Sequence, residues 1–224
     1  MRITPAPTAV ATAVATAAPP IQTGAITGKI ELLGPDRKVV PAQDVVVWLP
    51  GVPAPRKAAA KPTLKSQDKR FEPHVVVVTK GSTVTFPNVD KIYHNVFSRT
   101  EGSEFDLGLY RGGASKDNRF DKPGLVRVFC NIHPQMAGYV MVLDDVPHAL
   151  TDERGAFVLT GLPTGKHKVR LWHEKGGERT VEVEVRPGLE TKLSTQLDGS
   201  GFKVVPHKNK QGQDYPKGRD DERY

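Results

Sequence analysis

The chain has 224 residues, a formal charge of +7 and a pI near 9.5, and its 21 glycines and 19 prolines against only 7% aromatic residues favour short strands and turns. One cysteine excludes an intramolecular disulfide, and no stretch is long and apolar enough to span a membrane. There is neither a basic helix nor a stacking motif for nucleic acid, so the positive charge reads as solvated surface that suits weak contact with an acidic partner.

Residues 1–23 are mostly Ala, Thr, Val and Pro, with Arg2 near the start. Pro5, Pro7, Pro19 and Pro20 interrupt the apolar stretch, so it reads as a low-complexity linker or a weak signal remnant. Residues 25–32 alternate apolar and polar, as a half-buried strand does, and Leu33-Gly34-Pro35-Asp36 turns the chain. Residues 45–49 (Val-Val-Val-Trp-Leu) read as a more deeply buried strand. Residues 50–65 are rich in Pro, Ala and Lys and read as a solvated linker. Strand patterns follow at 71–78, 82–86 and 93–98, divided by Lys80-Gly81 and Pro87-Asn88. The segment 99–121 is charged and Gly-rich, with a short strand or loop at 105–110. Residues 124–129 form a strand that leads into Cys130, and 138–143 form an apolar strand whose Met141 reads as core.

The stretch Phe129-Cys130-Asn131-Ile132-His133-Pro134-Gln135-Met136 carries the chemistry. A thiolate, an imidazole and a thioether within one tight loop, with a further imidazole upstream at His94, make up the ligand set of a blue-copper site with a long axial methionine. Other readings of the residues alone are a buried inert cysteine, a zinc site and a catalytic Cys-His pair. Structural zinc rarely takes methionine, and a catalytic cysteine does not require one.

With these residues in view, the segment 71–144 resembles a cupredoxin of the plastocyanin and amicyanin type. The spacing Cys-x2-His-x2-Met with Pro134 after the histidine is similar to the short amicyanin ligand loop. The resemblance implies one copper ion cycling between Cu(I) and Cu(II), with His94, Cys130, His133 and Met136 as ligands and His133 as the more exposed exit for electrons. It also implies that Asn95 steadies the loop and its thiolate by hydrogen bonding.

Beyond residue 145 the pattern changes. Residues 150–159 read as strand, turn and strand around Asp-Glu-Arg-Gly, residues 161–165 as a second turn, and 168–173 and 180–185 as alternating strands. This run resembles the carboxypeptidase regulatory-like domain, through Thr151, Asp152, Gly155, Phe157, Leu162, Pro163 and Gly165. The opening strands of such a domain match Gly28-Lys29-Ile30 and Val45-Val46-Val47-Trp48-Leu49. Neither piece alone has enough strands for a core.

The expected architecture is therefore all-β. A Greek-key cupredoxin sandwich at 64–145 is inserted in, or lies next to, a small carboxypeptidase regulatory-like β-sandwich built from 24–52 and 146–197. Low-complexity residues 1–23 and a charged disordered tail at 198–224 flank them. The expected function is that of a monomeric, extracytoplasmic (periplasmic) electron carrier, not an enzyme. Its partners would be unidentified redox proteins, with no nucleic acid and no membrane span. The histidines at His74, His148, His167, His173 and His207 are scattered, without the His-x-His pairs of multicopper oxidases, and read as surface or hydrogen-bonded side chains. Copper storage or delivery, or a structural module with a vestigial site, are the other classes the same residues allow.

Overall fold

The computed structural model describes residues 22–54 and 61–215, and these are all-β, with 17 strands and no helix among them. The expectations for residues 1–21 and 216–224 lie outside the described residues.

Two packed bodies divide the strands. In one, Thr23–Leu33 pairs in parallel with Glu190–Asp198 and antiparallel with Ala156–Pro163, with the short Val39–Pro41 alongside. Facing it is a sheet ordered His148–Leu150, Val46–Trp48, Gly165–His173, Gly177–Val185. Each sheet therefore mixes chain from before residue 52 with chain from after residue 146. Their shared core is continuous across both, and includes Ile26, Ile30, Val45, Val47, Leu49, Phe157, Leu162 and Leu171. Thr151 ties the halves together, its hydroxyl accepting from the Val45 N–H at 2.8 Å and donating to the Ala42 carbonyl at 2.6 Å.

The other body is built on a five-stranded sheet ordered Val75–Thr79, Ala137–Leu143, Gly124–Phe129, His94–Ser98, Phe105–Tyr110. Ser82–Pro87 pairs with Ser115–Phe120, and Lys65–Gln67 pairs with Arg70–Glu72. Its core includes Leu64, Phe71, Phe86, Val96, Phe120, Val128, Cys130 and Met136.

A third apolar cluster joins the two bodies. It contains Val46, Trp48, Val75, Met141, Leu143, Val146 and Trp172. The two-residue period of a strand explains the sharing. Val45, Val47 and Leu49 point into the first core, while Val46 and Trp48 point at the second body. Val140 and Val142 likewise face the core of the second body, and Met141 and Leu143 face the junction. Unbroken apolar runs at 45–49 and 139–143 are what a strand buried on both faces requires.

Four local expectations are corrected. Residues 50–65 are not wholly a solvated linker: Val52 and Leu64 are buried, and the Leu64 N–H donates to the Thr85 carbonyl at 3.0 Å. A single apolar residue in a Pro/Ala/Lys stretch is enough to plug a core. Gly161 to Gly165 is not a free turn, because the strand runs on to Pro163 and buries Leu162 against the first core. Ser115–Phe120 is a strand inside the charged segment, with only Phe120 fully buried, so hydrophobic periodicity does not mark it. The tail expected to be disordered is ordered by its few aromatic and turn residues over 199–215, where His207 and Tyr215 pack on the second body.

Candidate metal centre

His94 opens the strand His94–Ser98, all five residues of which are buried. Cys130 follows the end of Gly124–Phe129, the neighbouring strand, joined to the first through Phe129 opposite Phe97. The loop then turns back sharply. The Met136 N–H donates to the His133 carbonyl at 3.0 Å, and the Cys130 N–H donates to the Met136 carbonyl at 3.2 Å. Cross-strand pairing thus brings together residues 36 positions apart, and loop closure brings in His133 and Met136.

The Cys130 sulfur lies 3.8 Å from His94 Nδ1 and 3.5 Å from His133 Nδ1. The three donor atoms lie within 4.8 Å of one another. The two imidazole rings are 4.7 Å apart, tilted by 55°. Met136 is fully buried in the same core as Cys130. Among the described residues, this is the one group of three or more His, Cys, Asp or Glu close enough to share an ion.

The electrostatics fit a soft metal. Burial pushes the Cys130 thiol up, against the backbone N–H groups of Asn95, Ile132 and His133, which point at the sulfur and favour the thiolate. Burial also lowers His94, with Asp90 opposing it, which favours the neutral imidazole that a metal needs. A buried thiol facing two imidazoles, with three N–H donors on its sulfur, is a donor set that a copper ion fits and a bare hydrophobic cysteine does not need.

Two carboxylates that composition does not single out hold His94 and Asn95. Asp90 Oδ2 lies 2.8 Å from His94 Nε2, the nitrogen turned away from the sulfur. Asp90 is itself held by the backbone N–H groups of Asp68 and Lys69, at 2.7 and 3.1 Å. Asn88 fixes the turn: its Oδ1 accepts from the Asp90 N–H at 3.1 Å and its Nδ2 donates to the Ile92 carbonyl at 2.9 Å. Asp106 Oδ1 accepts from Asn95 Nδ2 at 2.7 Å and from the Gly108 N–H at 2.9 Å. Asn95 therefore acts on two sides, its backbone N–H toward sulfur and its side chain toward Asp106. An Asp four residues before the histidine was the signal available for Asp90.

His133 is only 1% exposed, against 0% for His94, Cys130 and Met136, so none of the expected ligand residues is open to solvent. All four residues of the expected ligand set are buried, and the chain at 207–215 lies over the neighbouring Phe129, Cys130 and Asn131. Met141 sits in the junction cluster, away from the loop. The remaining histidines have local partners. His148 Nδ1 is 2.9 Å from the Val146 carbonyl, His167 Nε2 is 2.7 Å from the Pro163 carbonyl, and His173 Nδ1 accepts from the Lys175 and Gly176 N–H groups.

Comparison with known proteins points to the same half of the chain. Residues 58–143 match the family of copper binding proteins of the plastocyanin/azurin type. Amicyanin-alpha of Methylorubrum extorquens is 31% identical over 87 residues, which cover 38% of this chain and 73% of that protein. Among solved structures, a copper-containing nitrite reductase from Thermus scotoductus is 25% identical, with a TM-score of 0.37, over 43% of this chain. The chain spans only 25% of that reductase. A purple cupredoxin from Nitrosopumilus maritimus is 21% identical, with a TM-score of 0.33, over 37% of this chain and all of its own. A Cu(I) amicyanin variant is 20% identical, with a TM-score of 0.35, over 43% of this chain and 98% of its own.

Proposed function

The chain belongs, through residues 58–143, to the plastocyanin/azurin family of copper-binding proteins, and we propose that it carries single electrons between redox partner proteins outside the cytoplasm. In this reading one copper is held by His94, Cys130, His133 and Met136. The observation that carries it is the convergence of two imidazole nitrogens on one buried sulfur.

Bound copper supplies the single-electron chemistry by alternating between Cu(I) and Cu(II). The protein's part is to hold the donors still. His94 and His133 are fixed by the sheet and the loop closure, and Cys130 is oriented by three N–H groups. Met136, buried in the same core as Cys130, would supply the weak thioether donor. Burial keeps water from the sulfur. A scaffold that changes little between oxidation states suits an electron carrier better than a hydrolase or oxidase.

The first body is read as a carboxypeptidase regulatory-like sandwich, made of 24–52 and 146–197, that supports or docks the copper body and has no chemistry of its own. Its mixed sheets and single core support that division, as does the Asp152 turn, whose carboxylate accepts from the Arg154 and Ala156 N–H groups. A periplasmic setting and a monomeric state belong to the same proposal.

Stopped-flow mixing of the copper-loaded protein with small one-electron oxidants and reductants tests the reading. Fast, reversible bleaching and return of the blue colour with copper retained is the expected result. Copper transfer to an acceptor without electron exchange would instead make this a delivery protein.

A further inference from the structure

The segment after Glu190–Asp198, the last strand of the first body, is a built element. Asn209 Oδ1 accepts from the Gln211 and Gln213 N–H groups at 3.0 and 2.9 Å, and the Asn209 N–H donates to the Gln213 carbonyl at 2.9 Å. Gly212 takes a positive φ of 80°, and a Cβ there would stand 2.6 Å from the Arg99 guanidinium. The turn is closed on itself and shaped to one place on the protein.

That place is the ligand loop. His207 stacks on Phe129, with ring centroids 4.3 Å apart and planes at 22°. The Tyr215 hydroxyl donates to the Cys130 carbonyl at 3.0 Å. The Lys210 N–H donates to Asn131 Oδ1 at 2.9 Å, and its ammonium pairs at 2.8 Å with Asp106, the carboxylate that holds Asn95. Three successive residues at the start of the loop, and the support of Asn95, are therefore tied to one short stretch of chain.

We propose that residues 207–215 are a strap that holds the copper loop shut and limits the access of solutes to Cys130 and the exchange of the bound metal. The strap's contacts are few and partly exposed, so it opens without unfolding either sandwich. Being part of the same chain, it recloses at a rate independent of protein concentration. The copper half of this inference rests on the site proposed above; the protection of the thiol does not.

The test uses the full-length protein and the triple variant His207→Ala, Lys210→Ala, Tyr215→Phe. In the apo-proteins, the rate of Cys130 labelling by an aromatic disulfide reagent rises about tenfold or more in the variant, as loss of several hydrogen bonds allows. Near-ultraviolet circular dichroism and Tm stay close to those of the unmodified chain. In the copper-loaded proteins, transfer of Cu(I) to a bathocuproine chelator accelerates in the same sense. Equal labelling rates for the folded apo-proteins would overturn the strap. Failure of the unmodified protein to take up copper at a thiolate would overturn the proposed function instead, and labelling would still decide the strap. Hydrogen exchange on the unmodified chain gives a second readout. The Asn209 and Lys210 amides exchange slowly if the strap is closed, and exchange at the rate of unstructured chain would also overturn it.

Discussion

His94 Nε2 and the Asp90 carboxylate lie 2.8 Å apart, and this contact decides which ring nitrogen faces the sulfur. With Nε2 engaged, Nδ1 is the one left toward Cys130, at 3.8 Å. The Asp90 carboxylate is fixed in turn by two backbone N–H groups from the Asp68-Lys69 turn, whose residues both take positive φ. A carboxylate, a histidine and a metal in line is a way of fixing the tautomer and raising the basicity of the ligand.

Asp90→Ala is expected to weaken copper binding by roughly 10- to 100-fold, the range for loss of such a partner. Competition titration against a chelator of known affinity measures it. An unchanged affinity would mean that the sheet alone orients His94.

Thr151→Val is expected to destabilise the protein by about 1–3 kcal/mol, because the buried Val45 N–H loses its acceptor. Chemical denaturation measures the loss. The blue spectrum of the copper-loaded variant should be unaltered, since Thr151 sits in the body away from the ligand loop.

Gly155→Ala is expected to be costly for a different reason. Gly155 has φ of +73°, and an added Cβ would stand 2.2 Å from the Ile30 carbonyl oxygen. The Gly155 carbonyl also accepts from the Ile30 N–H at 2.9 Å, so the backbone cannot simply back away. The backbone strain alone is worth about 1–3 kcal/mol, and the clash adds to it. A Tm equal to that of the unmodified chain would contradict this.

At the junction, His74 Nε2 lies 2.8 Å from Glu174 Oε2, and the Tyr139 hydroxyl donates to Glu174 Oε1 at 2.8 Å. The hydrogen bond to Glu174 raises His74 above its usual 6.5, against the opposing effect of burial, with the Glu174 and Asp44 charges adding to the rise. The same bond holds Glu174 below its usual 4.5, against burial. A raised histidine stabilises fully below its unfolded pKa and loses that contribution as pH climbs through its folded pKa. A lowered glutamate contributes above its unfolded pKa and loses that contribution as pH falls through its folded value. The latch is therefore strongest between about pH 5 and 6. Tm should fall modestly as pH rises above 6.5, since His74 is partly exposed. His74→Gln should flatten that slope, and an unchanged slope would show that the latch contributes nothing.

The cluster of His94, Cys130 and His133 was legible because the residue types are rare here and their spacing is tight. A lone cysteine with His and Met in one loop leaves few chemistries open, and the donors of His94, Cys130 and His133 do converge. Asp106 was not legible, and Asp90 only as an Asp four residues before a histidine, because carboxylates are common and only the fold brings these two beside Asn95 and His94. The cover over Phe129, Cys130 and Asn131 was hidden for a similar reason. The chain at 207–215 that forms it comes from a stretch whose charge pattern suggests solvent. The run at 45–49 reads as buried from composition, but its second partner, the copper body, emerges only once Met141 and Trp172 are seen against Val46 and Trp48.

The most direct test of the copper assignment is titration of the apo-protein with Cu(II), followed by visible absorption and electron paramagnetic resonance, beside Cys130→Ala. The account predicts an intense blue band saturating at about one copper per chain, with narrow hyperfine splitting, both absent from the variant. A colourless or weakly coloured complex, or one that survives loss of Cys130, would contradict it.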